Sequence, residues 1–234
     1  MMGTLYGVSV GAGDPQLMTL KAVRIIEACS VIAVPCTGGE NSVALSIAEQ
    51  TVDISAKRVI YLDFPMASDK DILDRAHSVT AKQLCTELKS NDVAFLTLGD
   101  ISIYSTFCYI ADSVRAAGFN VEVCAGVTSF SAATAALAEP LCLGSEELHI
   151  IPYSSSSIEN SLQLSGTKVI MKAGRHTQEL ISLLRSKGLA EHTKAVVNCG
   201  FPDERLYVSI DDMPEAPGYF TLFIITDRES RNEA

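Results

Sequence analysis

Alternation constrains this chain more than any other feature. Through its first half, short apolar runs and amphipathic stretches follow one another in strict turn. LYGVSVG (5–11) leads into a helix-like segment ending near Ala28, and SVIAVP (30–35) leads into NSVALSIAEQ. RVIYLDF (58–64) precedes a long helical stretch over roughly 69–90, and DVAFLTLG (92–99) precedes ISIYSTFCYIADSVRAAG. VEVCAG (121–126) closes the series. Strands that alternate with helices predict a mostly parallel sheet with helices on both faces.

The second half has another rhythm. A small-residue helix, TSFSAATAALA, is followed by ELHIIPY, KVIMKAG, KAVVNCG, ERLYVSI and YFTLFIITD, with one strong helical pattern from Thr177 to Leu189 among them. The proline-rich DDMPEAPG between the last two runs predicts an antiparallel or mixed sheet. YSSSSIENS (153–161) reads as a polar loop, and nothing repeats at a fixed period. The expected division is an N-terminal α/β domain over 1–126 and a C-terminal α/β domain over 127–234, the pattern changing near residues 126–140.

Composition then limits what such a fold can do. With 234 residues, 47% of them hydrophobic and 20% charged, the chain has the make-up of a globular protein with a sizeable core. No apolar run approaches the roughly 18 residues that span a bilayer. MMGTLYGVSVGAG lacks a basic leading region and reads as a first strand rather than a signal peptide, so a cytoplasmic location is expected. A net charge of −10, from 28 acidic and 18 basic residues, disfavours nucleic acid and anionic membranes as partners, though not a local basic patch. The seven cysteines (29, 36, 85, 108, 124, 142 and 199) are scattered, without a CxxC or Cys–His pairing. Neither a zinc site nor a disulfide framework follows, and most should be small buried hydrophobes in a reducing compartment. The four histidines stand alone, so no metal is expected.

Three turns are candidates for chemistry. GAGDPQLMTLKA (11–22) begins as a dinucleotide-binding turn does, but Gln16 stands where the third glycine belongs, and Val31 to Pro35 carries no carboxylate for a ribose. A purely local reading explains much of it: Asp14 is a good N-cap, Pro15 suits a first helical position, and Leu17, Leu20 and Val23 form an apolar stripe. LTLGDISIYSTF (96–107) has the same duality. Asp100 can cap a helix whose buried face is Tyr104, Phe107, Ala111 and Val114, or the turn can meet a ligand, because strand C-termini and helix N-termini are where ligands bind. In VCAGVTSF, Thr128 and Ser129 start a helix whose small residues admit a ligand or a neighbouring helix.

Taken together, GAGDPQLMTLKA, LTLGDISIYSTF, GVTSFSAA, MKAGRH and PGYFTL resemble the tetrapyrrole (corrin/porphyrin) methylases, in order and over essentially the whole chain. LDFPM (62–66), the YST after the glycine–aspartate turn, and MKAGR are most similar to the precorrin-2 / cobalt-factor II C-20-methyltransferases. The resemblance implies two α/β domains with the cofactor, S-adenosylmethionine, in the cleft between them, S-adenosylhomocysteine as product, and a homodimer. Carried over by position, its cofactor contacts fall on Pro15, Leu98, Gly99, Asp100, Ile103, Thr128, Ser129, Met171 and Gly200, with Tyr104, Ser105 and Thr106 lining the same turn.

The resemblance departs from pattern at Ile101, where the family usually has proline, a loss of pre-organisation worth at most about 1 kcal/mol. Near Pro35 there is no carboxylate to inherit a catalytic role. The reaction it implies is methyl transfer to the C-20 meso carbon of precorrin-2 or its cobalt form, with an acceptor bearing eight carboxylates. Tyr104 and Arg175 are the candidate catalytic residues, and Arg175 with Lys172 can supply local positive charge. Alternatives are another tetrapyrrole methylase, a ribosomal-RNA ribose methylase, a dinucleotide-dependent oxidoreductase and a non-catalytic ligand-binding module.

Overall fold

The structure is a computed structural model that describes residues 2–36, 41–65, 69–153 and 157–226, without the side chain of Arg175. Met66 and residues 154–156 of the expected polar loop lie outside the described residues. Two compact units meet in the chain between Ser129 and Phe130.

The first unit is built on the strands that alternation predicts. β1 (Thr4–Ser9), β2 (Val31–Cys36), β3 (Arg58–Asp63), β4 (Val93–Thr97) and β5 (Asn120–Cys124) form a sheet in the order β3-β2-β4-β1-β5. Every pairing in it is parallel. The intervening helices are α1 (Leu20–Ala28), α2 (Val43–Ala48), α3 (Lys70–Glu87) and α4 (Phe107–Ala116). Burial follows from this layering: β4 is buried at all five positions, as a strand covered on both faces must be. Leu5, Val31, Ala33, Val93 and Phe95 share a core with Leu84, Leu88, Phe107, Ile110 and Val114 of the α3–α4 layer. Pro35 lies beyond Ala33, the last β2 residue paired with β4, where a strand tolerates a missing N–H.

Two helices start later than the sequence implies. Asp14 does cap, accepting from the Gln16 N–H at 2.8 Å, but the turn it caps is a single 3-10 turn, Pro15–Leu17. Thr19 then starts α1 afresh, its hydroxyl accepting from the Ala22 N–H at 3.1 Å. The expected stripe shifts accordingly: Leu20 is 75% exposed, while Ala22 and Ile26 are buried. α4 likewise begins only at Phe107, so Tyr104 is outside it and half-exposed rather than part of its buried face.

The second unit holds α5 (Ser129–Ala136), whose first residue still belongs to the first unit, then β6 (Leu148–Pro152), α6 (Ile158–Ser161), β7 (Thr167–Met171), α7 (Thr177–Ser186), β8 (Thr193–Val197), β9 (Arg205–Tyr207) and β10 (Thr221–Ile225). Its sheet runs β6-β7-β10-β8-β9 and is mixed. β6 and β7 are parallel, whereas β10 inserts antiparallel between β7 and β8. α7 covers one face, burying Leu180, Ile181 and Leu184 in a core with Ile170, Ala195, Phe223 and Ile225.

Gly7 is where the first sheet and α4 fit most tightly. A Cβ there would lie 2.5 Å from Ile101 Cδ1 and 2.6 Å from Phe107 Cζ, both side chains being fully buried. Gly7→Ala should therefore overpack this core and destabilise the first unit by about 1–3 kcal/mol. Urea unfolding checks it, and an unchanged midpoint would mean the two side chains have room to move aside.

Candidate functional site

β1 and β4 lie side by side, yet the chain leaves β1 toward β2 and leaves β4 toward β5, on opposite sides. That is a topological switch point, the place where α/β sheets bind ligands outside the strand C-termini. The turns there are joined to one another. The Val10 N–H donates to the Thr97 carbonyl at 2.9 Å, and Gly11 and Gly99 exchange backbone hydrogen bonds of 3.3 and 2.6 Å. Both glycines have left-handed backbone, with φ of 77° and 73°, which other residues seldom adopt.

Two side chains extend this linkage to the turn after β5. Ser9, the last residue of β1, is fully buried, and its hydroxyl donates to the Cys124 carbonyl at 2.8 Å. The same oxygen accepts from the Ile101 N–H at 2.9 Å. Asp100 works in parallel: its Oδ2 accepts from the Gly126 N–H at 2.7 Å, and its Oδ1 accepts from the N–H and hydroxyl of Ser102. Burial opposes the charge on Asp100, but these three donors outweigh it and hold its pKa below the usual carboxylate value. Gly126 must be glycine for steric reasons, since a Cβ would lie 2.4 Å from Ser9 Cβ and 2.9 Å from the Gly99 carbonyl oxygen.

Asp100 is thus not the cap of α4. The hydroxyl of Ser105 accepts from the Phe107 N–H at 3.2 Å, and also lies 3.4 Å from the Thr97 hydroxyl. Asp100 faces the other way because its own turn and that of Gly126 offer donors nearer than the helix does. Ile101 is held despite lacking a proline ring: its N–H is bonded to Ser9 and its side chain is buried.

The remaining candidates occupy definite places. Pro15 opens the 3-10 turn after Gly13, Leu98 precedes Gly99, and Ile103, Thr106 and Thr128 are half-buried. Ser129 is the first residue of α5. Tyr104 has a φ of 53°, costly without glycine, and is 43% exposed; partial burial raises its pKa, so its phenol is neutral at neutral pH. In the second unit, Met171 ends β7 and Gly200 lies in the turn after β8, where its N–H donates to Glu204 Oε2 at 2.8 Å. β7 and β8 are both antiparallel to β10, so Met171 and Gly200 lie at the same end of that sheet, at or just beyond the C-termini of β7 and β8. Lys172 has a φ of 61°, and burial lowers its pKa. Arg175 lies in the 3-10 turn Gly174–His176, its side chain outside the described residues.

Sequence reasoning missed Ser9 and gave Gly126 no role. The signal for Ser9 was a small hydroxyl between Val8 and Val10, two residues before a glycine turn.

Chemically, this is a positioning site. Burial pushes the Cys199 thiol up to about 12, with Glu204 adding to it, so it is no nucleophile at neutral pH. Among the described residues, no group of His, Cys, Asp and Glu could hold a metal ion. No described helix is long and apolar enough to cross a membrane. Half-buried Ile103 and Val127 beside hydroxyls of Ser102, Thr128 and Ser129 give the turns both an apolar and a hydrogen-bonding character, which fits a nucleoside carrying an amino acid. A dinucleotide fits poorly, because α1 starts seven residues after Gly13 and offers no helix N-terminus at the glycine turn.

Comparison with known proteins gives the same direction. Residues 4–214 match the family model of the Tetrapyrrole (Corrin/Porphyrin) Methylases. A protein named "Probable cobalt-precorrin-2 C(20)-methyltransferase" from Methanocaldococcus jannaschii is 32% identical over 230 residues, covering 94% of this chain and 95% of that protein. The cobalt-precorrin-2 C(20)-methyltransferase of Salmonella typhimurium is 28% identical, covering 96% and 97%. A crystal structure of uroporphyrin-III C-methyltransferase from Thermus thermophilus, complexed with S-adenosylhomocysteine, superposes with a TM-score of 0.68 at 19% identity, covering 96% and 98%.

The Asp100 linkage has a pH signature. Because its folded-state pKa is depressed, its contribution is complete above the unfolded value near 4 and is lost as pH falls through the folded value. Asp100→Asn should cost about 1–3 kcal/mol at neutral pH. The gap between wild type and variant should stay constant down to about pH 5 and close below about pH 4. Urea midpoints across that range test it, and a gap that widens on acidification would contradict the assignment.

Proposed function

The chain belongs to the tetrapyrrole (corrin/porphyrin) methylases, and from that premise we propose that it methylates the C-20 meso carbon of precorrin-2 or its cobalt form, using S-adenosylmethionine. The observation that carries this reading is the linkage of three strand-end turns: backbone bonds join Gly11 after β1 to Gly99 after β4, and the Asp100 carboxylate joins the turn after β4 to Gly126 after β5 at 2.7 Å. Such a platform presents ordered backbone groups and needs no protein nucleophile, because the electron-rich acceptor carbon itself attacks the methyl group as the sulfonium leaves as the thioether S-adenosylhomocysteine.

When bound, the cofactor supplies an electrophilic methyl group. The protein's part is alignment, and holding two reactants in line can supply roughly 7–11 kcal/mol of a barrier. In this reading Pro15, Leu98, Gly99, Asp100, Ile103, Thr128 and Ser129 hold the cofactor with Met171 and Gly200, while Tyr104, Ser105 and Thr106 line the turn. Asp100 acts there by shaping the turns, since both its oxygens already accept hydrogen bonds within the protein. Tyr104, half-exposed with a neutral phenol, lines the turn. Lys172 and Arg175, at the end of β7, provide positive charge for a polycarboxylate acceptor in a chain of net charge −10. The resemblance to the family supports a homodimer, and the free thiols suit a reducing compartment such as the cytoplasm.

Incubation with S-adenosylmethionine labelled in its methyl group, and with precorrin-2 or cobalt-precorrin-2 in parallel, should place the label on C-20. Label at another ring position would point to a different tetrapyrrole methylase. Calorimetry should show binding of S-adenosylhomocysteine and none of NAD. Arg175→Ala should raise the tetrapyrrole KM, with Arg175→Lys recovering little, because a guanidinium grips a carboxylate through two parallel bonds and an ammonium through a point contact. Unchanged tetrapyrrole kinetics would leave Arg175 outside the acceptor site.

A further inference from the structure

Ser9 lies behind the site rather than on it, fully buried at the end of β1 beside apolar Val8 and Val10. A buried hydroxyl in such surroundings is costly unless it is bonded. Here both hydrogen-bonding capacities are used, and they reach different strands. The donated bond ends on the Cys124 carbonyl at 2.8 Å, at the last residue of β5. The accepted bond comes from the Ile101 N–H at 2.9 Å, in the turn after β4. Ser9 itself ends β1, so one side-chain oxygen adds to the backbone bonds a direct link from β1 to the end of β5 and to the turn after β4.

The surroundings show that this position is tightly set. The α-carbon of Gly126 approaches Ser9 so closely that a Cβ on it would sit 3.3 Å from the Ser9 hydroxyl oxygen. Asp100 stands one residue before Ile101 and bonds to Gly126, so the Ser9 bonds and the Asp100 bonds close on the same two turns from opposite sides.

We propose that Ser9 is a positioning residue for the cofactor: without touching it, the hydroxyl fixes the turn after β4 against the end of β5 and so sets the affinity of the site. This inference rests on the reading that these turns bind S-adenosylmethionine. Removing the hydroxyl should leave the sheet folded, because Leu5 and Val8 on β1 remain fully buried and its pairing with β4 and β5 is through the backbone.

The test compares Ser9→Ala, Ser9→Cys and a control, Ile224→Val, placed in the buried sheet of the second unit. Amide hydrogen exchange of the ligand-free proteins comes first. In Ser9→Ala, exchange at Ile101 and Gly126 should accelerate at least tenfold relative to amides inside β4, and equal rates would overturn the proposal whatever the ligand. Calorimetry with S-adenosylhomocysteine comes second. Ser9→Ala should raise Kd about tenfold, Ser9→Cys less, since a thiol still bonds weakly, and Ile224→Val should lower Tm with Kd within twofold of wild type. A Kd in Ser9→Ala within twofold of wild type would refute the positioning role even if Tm fell. If wild type does not bind S-adenosylhomocysteine, the functional reading fails, and this proposal fails with it as a statement about the cofactor, while the exchange data still decide whether Ser9 holds the turns. Should Ser9→Ala not fold, Ser9→Cys carries both measurements, with a smaller expected change in the same direction.

Discussion

The site depends on β1 pairing with β4 on one edge and β5 on the other. Parallel pairing aligns the three strands in one direction, so their C-terminal turns emerge side by side. The sequence separates those turns by about ninety residues between Gly11 and Gly99, and the sheet closes that gap with backbone hydrogen bonds. Once the turns are adjacent, two short side chains, Ser9 and Asp100, can reach across them. Longer side chains would do this less well, because each would lose more rotamer freedom for the same bonds.

Electrostatics at this site are mostly internal. Asp100 keeps its charge in a buried place because three donors converge on it, and those donors belong to the turns it has to hold. Elsewhere, Arg58, Arg115, Arg185, Lys187 and Lys194 are paired with carboxylates on the surface. Such exposed pairs contribute little stability, but they neutralise cations that could otherwise meet an anionic ligand.

Much of the fold was legible in the sequence. Each expected strand of both halves is present within a few residues, because the runs of β-branched and apolar residues that make strands are local features of hydropathy. The antiparallel character of the second half was also legible, although DDMPEAPG turned out to link strands that do not pair, with β10 inserted between β7 and β8. Helix starts were less legible. Asp14 and Asp100 both look like N-caps, and a local pattern cannot tell a cap from a carboxylate that caps one short turn or reaches a distant N–H. Thr19 caps α1 instead, and at α4 the N-cap position falls on Thr106, with the Ser105 hydroxyl accepting from the first helical N–H.

By itself, the sequence determined the two-part α/β architecture, the strand-end location of the three turns, and the family to which the chain belongs, since all three rest on local pattern and on motif order. Only the tertiary structure decided what Asp100 and Ser9 do. Their partners, Gly126 for one and Cys124 and Ile101 for the other, lie 26, 115 and 92 residues away. Hydrogen bonding is a short-range force, so which groups meet is settled by strand order, and strand order is a property of the folded sheet rather than of any segment within it.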